Sequence, residues 1–290
     1  MLFKTNYSAY KPEKLPSNRK EQFWDILKHN ILLLLLLGFI FLLFSLPLLI
    51  SAFVRDYYFS LYSSAYANEE ITAEQLTSLT KSLLMTMNIV ISCSYVLLAI
   101  PLAGTTKIAR RLIWSEQAFF GDFWTGIKEN GLKMLALTLV ISASIYGLYS
   151  LQMASNINWF LKYGPYGIFA IVLLPFSLHF IALINIYNQP IGQTIRNSFI
   201  IYFKTPFVTI LFAVAPLLAF YLVNLIDFVA IRMLIHALSL VVLLPIYLLL
   251  WFVYDISILD KSINKTLFPE AYKKGLYIKK SEEDANEESR

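Results

Sequence analysis

Six stretches of this 290-residue chain contain no Asp, Glu, Lys or Arg and are long enough to cross a bilayer: about 31–54, 83–103, 134–151, 166–187, 207–226 and 233–254. A helix needs about 20 apolar residues to cross the hydrocarbon. Water is absent there, so every backbone N–H and C=O must be satisfied within the fold, which leaves helices or a closed barrel. Runs this long, apolar on every side, specify helices. Only 15% of the residues are charged, against about 25% in a soluble domain. The expected fold is an all-α polytopic membrane protein of six transmembrane helices.

Lys and Arg collect in cytoplasmic loops near membrane ends. Summed over alternate connections, 20 fall on one side and 4 on the other, which is expected to place both termini in the cytoplasm. A cytoplasmic segment, 1–20, then leads into a membrane domain over 21–265, and 266–290 reads as a solvated, charged cytoplasmic tail. The first span is a 24-residue uncharged run, longer than a signal-peptide core, so no cleaved leader is expected. The segment 55–82 becomes an acidic extracellular loop with Glu69, Glu70 and Glu74 in a helical stretch that Asn68 is placed to cap. The net charge of +5 is explained by this topology rather than by nucleic-acid binding.

An internal repeat organises the spans. FWDILKHN (23–30) and FWTGIKEN (123–130) each precede an apolar run, and FIIYFKTP (199–206) holds the same place before the fifth span. The second span of each pair carries a proline after three apolar residues: LAIP ending at Pro101, VLLP at Pro175 and VLLP at Pro245. The reading is three helical hairpins, each preceded by a short cytoplasmic interfacial helix that bends into the bilayer. Trp24, Leu27 and Ile31 would form its apolar face, with Asp25, Lys28 and His29 in water. Trp24, Lys28 and Asn30, with Trp124, Lys128 and Asn130, would fix the entry points. Asn18 followed by Glu21 resembles a capping box opening the first such helix.

Chemical motifs are sparse. HExxH, GxSxG and GxxxxGK[ST] do not occur, so a non-enzymatic protein without catalytic residues, metal or cofactor is expected. Charge-free spans argue against ion coupling. His179, Asn185, Asn88 and Asn224 are the polar span residues able to line a cavity or bridge helices. Asp227 and Arg232 should form an exposed pair in a tight outer loop, Cys93 should be a small buried apolar residue, and Trp251 with Tyr254 should anchor at the interface.

The run PLAGTTKIARRLIWSEQAFFGDFWTGIKENGLKMLAL (101–137) resembles the YesL-like family of bacterial integral membrane proteins, a domain of unknown function. The shared pattern comprises Pro101, the small residues 104–106, Arg110 and Arg111, a polar turn over 115–121, the aromatic opening 122–124, Lys128 and Asn130. IYNQPIGQTIRNSFIIYFKTP (186–206) is similar to that family's second cytoplasmic connection, whereas the long acidic loop departs from it. The resemblance implies residence in a bacterial cell membrane and an accessory role in ABC-type oligosaccharide import. Other transport subunits would be the partners, contacted through the elbow residues and through Arg110, Arg111, Arg196 and Lys204. The alternative is a permease or channel that itself translocates a small solute. The charge asymmetry predicts that alkaline phosphatase fused within 55–82 is active and fused within 104–133 is inactive; the reverse pattern would invert the topology.

Overall fold

The computed structural model describes residues 15–154, 157–187 and 189–277, and the regular structure among them is helical, with no strand. Span one is α1 (Arg19–Ala67). Span two is α2 (Ala73–Val96) followed by α3 (Ala99–Ile113), and span three is α4 (Gly121–Met153). Span four joins α5 (Trp159–Ile168), a π-helical turn (Phe169–Leu173) and α6 (Leu174–Ile186). After α7 (Ile191–Lys204), span five is α8 (Pro206–Asn224). Span six joins α9 (Val229–Leu238), a π turn (Ser239–Leu243) and α10 (Leu244–Leu259). These six units are long and apolar enough to cross a membrane, and the chain is an integral multi-pass membrane protein.

The spans pack as a closed ring in chain order. α1 lies on α2, α2 on α4, α4 on α5 and α6, α6 on α8, α8 on α9, and α9 and α10 return to α1. The outer surface is apolar: Leu32, Phe39, Leu43, Ile50 and Phe53 of α1 are exposed, and α8 buries only Thr209 and Ala213. In hydrocarbon such a surface costs nothing, and close packing rather than the hydrophobic effect holds the helices together. The hairpins are therefore not separate units. The most extensive contact joins α3 to α4, across the boundary between the first two. Two glycines permit it: a Cβ at Gly126 would lie 2.5 Å from the Ala103 carbonyl oxygen, and one at Gly104 would lie 2.2 Å from the Phe123 ring.

The repeated prolines carry a repeated backbone device. Proline lacks an N–H and its ring crowds the carbonyl four residues earlier, so a regular helix cannot continue unchanged. In spans four and six a five-residue π turn ends just before the Leu-Pro pair, with the Leu174 N–H bonding the Phe169 carbonyl and Leu244 that of Ser239. In span two the helix breaks instead, at Leu97–Leu98, just before α3. At the three repeated prolines the facing carbonyl is then met by another group. Ile100 N–H reaches the Leu97 oxygen at 3.3 Å, and the Tyr202 hydroxyl donates to Ile171 at 2.6 Å. Pro216 in α8 follows the same rule, the Tyr247 hydroxyl donating to Phe212 at 2.9 Å. The Val241 oxygen, opposite Pro245, faces Gly38 so closely that a Cβ there would lie 1.9 Å away. A Cα–H···O contact is the interaction this spacing permits.

The elbows differ in form. α1 kinks at Asn30 (φ −125°, ψ 20°), and α7 ends at Thr205 (φ −137°, ψ 48°) before Pro206 starts α8. The second is no elbow: α4 runs on through Asn130, whose side chain is used in a hydrogen bond to another helix. Phe23 and Phe123 are buried beside exposed Trp24 and Trp124, whereas Phe199 is exposed, so the third copy keeps its place but not its burial. The protein-facing side of the first elbow is Phe23, Ile26 and Asn30; Trp24 and Ile31 look outward. Asn18 accepts the Glu21 N–H at 2.9 Å, while the Glu21 carboxylate reaches one residue further than a capping box requires, to the Ser17 N–H at 3.0 Å.

The segment 55–82 is not an irregular loop. From Ile31 to Ala67 α1 is about 55 Å long at 1.5 Å per residue, against a hydrocarbon thickness of about 30 Å, so α1 and the start of α2 project as a helical hairpin. Asn68 ends α1 rather than capping α2; Thr72 does that, in a capping box with Gln75. Cys93 is exposed on the lipid-facing side rather than buried, because the helix face it occupies has no neighbour. Gly38→Ala should destabilise the fold by about 1–3 kcal/mol through overpacking against the second π turn. Gly147→Ala, where a Cβ meets nothing, should be neutral or better by thermal unfolding in detergent; equal effects at the two sites would refute this packing account.

Candidate functional site

Asp255 stands one residue beyond the expected end of span six. α10 continues to Leu259, however, and carries Asp255 into the bundle. The expectation of a charge-free interior is thereby corrected. Asp255, His179 of α6 and Thr209 of α8 are all fully buried. His179 Nδ1 lies 2.6 Å from Asp255 Oδ1, and Nε2 lies 3.1 Å from Thr209 Oγ1. Donor and acceptor capacities assign the protons. Thr209 lies 2.7 Å from the Thr205 carbonyl oxygen, which can only accept, so its hydroxyl donates there. Nε2 must then be the donor toward Thr209. One proton remains between Nδ1 and Oδ1, making either imidazolium with carboxylate or imidazole with carboxylic acid, and the pair is neutral in both forms. Asp255 Oδ2 has no hydrogen-bond partner among the described residues. Trp251 closes the site from α10: it is fully buried rather than interfacial, its ring centroid lies 5.0 Å from that of His179, and its Nε1 donates to the Leu178 carbonyl at 2.9 Å.

Asn185 builds a second buried junction nearer the end of α6. It accepts from Asn130 Nδ2 at 3.0 Å and donates to Thr106 at 2.9 Å and to its own helix at the Ile181 carbonyl, also at 2.9 Å. Arg110 donates to the Asn185 carbonyl at 3.0 Å. Asn185 follows Pro175 by ten residues, and Asp255 follows Pro245 by ten. They are equivalent positions of the repeat, each reaching back to the second span of the preceding hairpin, Thr106 in one case and His179 in the other. Arg111 holds the same offset from Pro101; with no preceding hairpin it turns to Asp122 at 2.7 Å.

Below these junctions the chain ends are clasped. The Tyr277 N–H donates to the Pro16 carbonyl at 2.9 Å, and Arg19 pairs with Asp260 at 2.8 Å with both side chains nearly enclosed. Gln22 bonds the carbonyls of Ile113 (2.6 Å) and Gly275 (3.0 Å), and Lys274 lies 4.0 Å over the Trp114 ring. Gly275 (φ +84°) passes so near Ile113 that a Cβ would sit 2.2 Å from its carbonyl oxygen. The segment 266–277 is thus packed structure rather than solvated tail; 1–14 and 278–290 lie outside the described residues. Of the expected contact residues, Asn30 and Asn130 are buried, and Arg110 and Arg111 are engaged within the fold. Trp24, Lys28, Trp124, Lys128, Arg196 and Lys204 are exposed on this same elbow face.

The remaining two polar candidates lie elsewhere. Asn88 is buried and donates to the Met153 sulfur at 3.6 Å. Asn224 lines a cavity of about 60 Å³ at the end opposite the elbows, enclosed by spans one, two, three, five and six. Arg232 pairs with Asp56 across the ring rather than with Asp227, which stays exposed.

The order carboxylate, imidazole, hydroxyl is that of hydrolase triads. Here the hydroxyl donates to its own helix and the three groups are sealed, so Thr209 positions His179 and no substrate atom reaches it. Among the described residues no three His, Cys, Asp or Glu gather to hold a metal. No family model, curated protein or solved structure matches this chain.

Removing one member of a buried charged pair costs about 3–5 kcal/mol, whereas replacing both with apolar groups is often close to neutral. Asp255→Leu or His179→Leu alone should therefore destabilise by that amount, and the double variant should regain most of it, by thermal unfolding in a double-mutant cycle. Additive losses would show that the two side chains do not act as a pair.

Proposed function

We propose that this chain is a non-enzymatic subunit of the bacterial cell membrane that accompanies an oligosaccharide importer of the ABC type, with its elbow face and both termini in the cytoplasm. The observation that supports this reading is the division of labour among the charges of that face. Arg19, Arg110 and Arg111 are spent inside the fold, while Lys28, Lys128, Arg196 and Lys204, with Trp24 and Trp124, stand outward on a clasped, stiff platform. Exposed aromatics beside cations are the composition of binding surfaces and of headgroup anchors alike; here one face serves to seat the bundle and to present it. The resemblance of 101–137 to the YesL-like family supplies the class of partner. The cavity lined by Asn224, of about 60 Å³, is too small to take a saccharide.

A second reading, a permease for a small solute, draws on the His179–Asp255 pair, since ionisable groups buried in a bundle commonly mark transport pathways. Purification of the tagged chain in a mild detergent separates the two. Co-purification of importer membrane subunits and their ATPase, lost on combining Trp24→Ala, Lys28→Glu, Trp124→Ala and Lys128→Glu, is the expected result. Recovery of the lone chain, together with solute flux through it in liposomes that His179→Ala abolishes, would replace the first reading with the second.

A further inference from the structure

The cavity opposite the elbows collects hydrogen-bond donors. Arg55 of α1, Tyr95 of α2 and Tyr149 of α4 line it, with His236 of α9 closing another wall. Neither the Tyr95 nor the Tyr149 hydroxyl has a hydrogen-bond partner among the described residues, although both stand within the bundle. Both residues are half-buried, and a phenol held among helices ordinarily finds a partner in the protein or in what fills the space beside it. The charges are also unequal. Asp56 is shared by two guanidiniums, with Arg55 Nε and an Arg55 terminal nitrogen each 3.0 Å from Oδ1 and with Arg232 on Oδ2. Two cations against one carboxylate leave an excess of one positive charge at the cavity wall. The His236 ring stacks on Phe220 at 4.8 Å and its Nε2 faces the Asn224 oxygen. Two free hydroxyl donors, a surplus positive charge and walls of low polarity form the electrostatic complement of a single negative charge.

Volume decides its size. A cavity of about 60 Å³ accepts a few non-hydrogen atoms, which fits a halide or formate and excludes sugars, and a surplus of one positive charge matches a monovalent ion. We propose that this cavity binds one small monovalent anion, held by the Tyr95 and Tyr149 hydroxyls and balanced by the excess charge of the Arg55–Asp56–Arg232 cluster. The anion completes the electrostatics where spans one and six meet across the ring, and so ties together helices that the elbow-end clasp does not reach. This site is independent of the partner proposed above and stands whether or not that partner is found.

The test uses the full chain purified in detergent. Thermal unfolding is followed in sodium chloride, bromide or formate against gluconate, which is too large to enter, at constant ionic strength. A small anion should raise Tm saturably, by about 3 °C at ten times its dissociation constant. Whether the halides or formate produce the gain identifies the anion. Tyr95→Phe with Tyr149→Phe keeps both rings and should abolish the saturable gain while leaving Tm in gluconate unchanged; if the double variant fails to fold, Tyr95→Phe alone is read in the same way. Crystals soaked in bromide should show one anomalous peak in the cavity. A gain that rises linearly without saturation, an equal gain in gluconate, a full gain in the hydroxyl-less variant or a cavity holding water alone would each overturn the proposal.

Discussion

A backbone carbonyl that loses its hydrogen bond inside a membrane has no water to turn to, and much of this structure answers that single demand. Prolines stand within five of the six spans, and at Pro101, Pro175, Pro216 and Pro245 the carbonyl four residues upstream is met from elsewhere. The answers come from different elements: a neighbouring N–H for Leu97, Tyr202 for Ile171, Tyr247 for Phe212 and the bare Cα of Gly38 for Val241. Because Tyr202 belongs to α7, Tyr247 to α10 and Gly38 to α1, repairing the backbone also fixes which helices stand side by side. Helix irregularity and helix packing are one problem here, solved by the same side chains.

The interhelix polar junctions obey a related economy. Asn185 and Asp255, at one offset from their prolines, each reach back to the preceding hairpin. A triplicated unit needs adhesive between copies rather than within them, and a polar side chain in hydrocarbon supplies it with direction as well as energy. The first copy has no predecessor, which is why Arg111 turns to Asp122, at the start of the next span.

The six spans, their helical state and the repeat of the proline motif were legible in the sequence because bilayer thickness and backbone chemistry leave so little choice. The kink at Asn30 and the break before Pro206 were legible too, since Asn and Pro end helices for local reasons. Asp255 is hidden from a reading by apolar runs because the run ends before the helix does, although the ten-residue offset from Pro245 that it shares with Asn185 and Pro175 marks it. Nothing local told Asn130 to remain helical, since what holds it is Asn185 on another span. The pairing of Arg232 with Asp56 rather than Asp227 depends on ring closure, a relation between residues far apart in the chain. The packing of Phe268 against Tyr187 within a stretch that reads as a charged tail is of the same kind.

Ring closure also has an order in time. The chain is made from its N-terminus, so α1 enters the bilayer when the surface that will cover Gly38, the second π turn, has not been synthesised. Until span six arrives, the notch at Gly38 faces lipid and the Val241 carbonyl does not yet exist. The first and last spans therefore meet only after everything between them is in place. The seam of the ring, sealed at one end by the Pro16–Tyr277 bond and at the other by Arg232 and Asp56, is the final step of assembly. A chain lacking span six would leave the Gly38 notch and Asp56 without the groups that cover them.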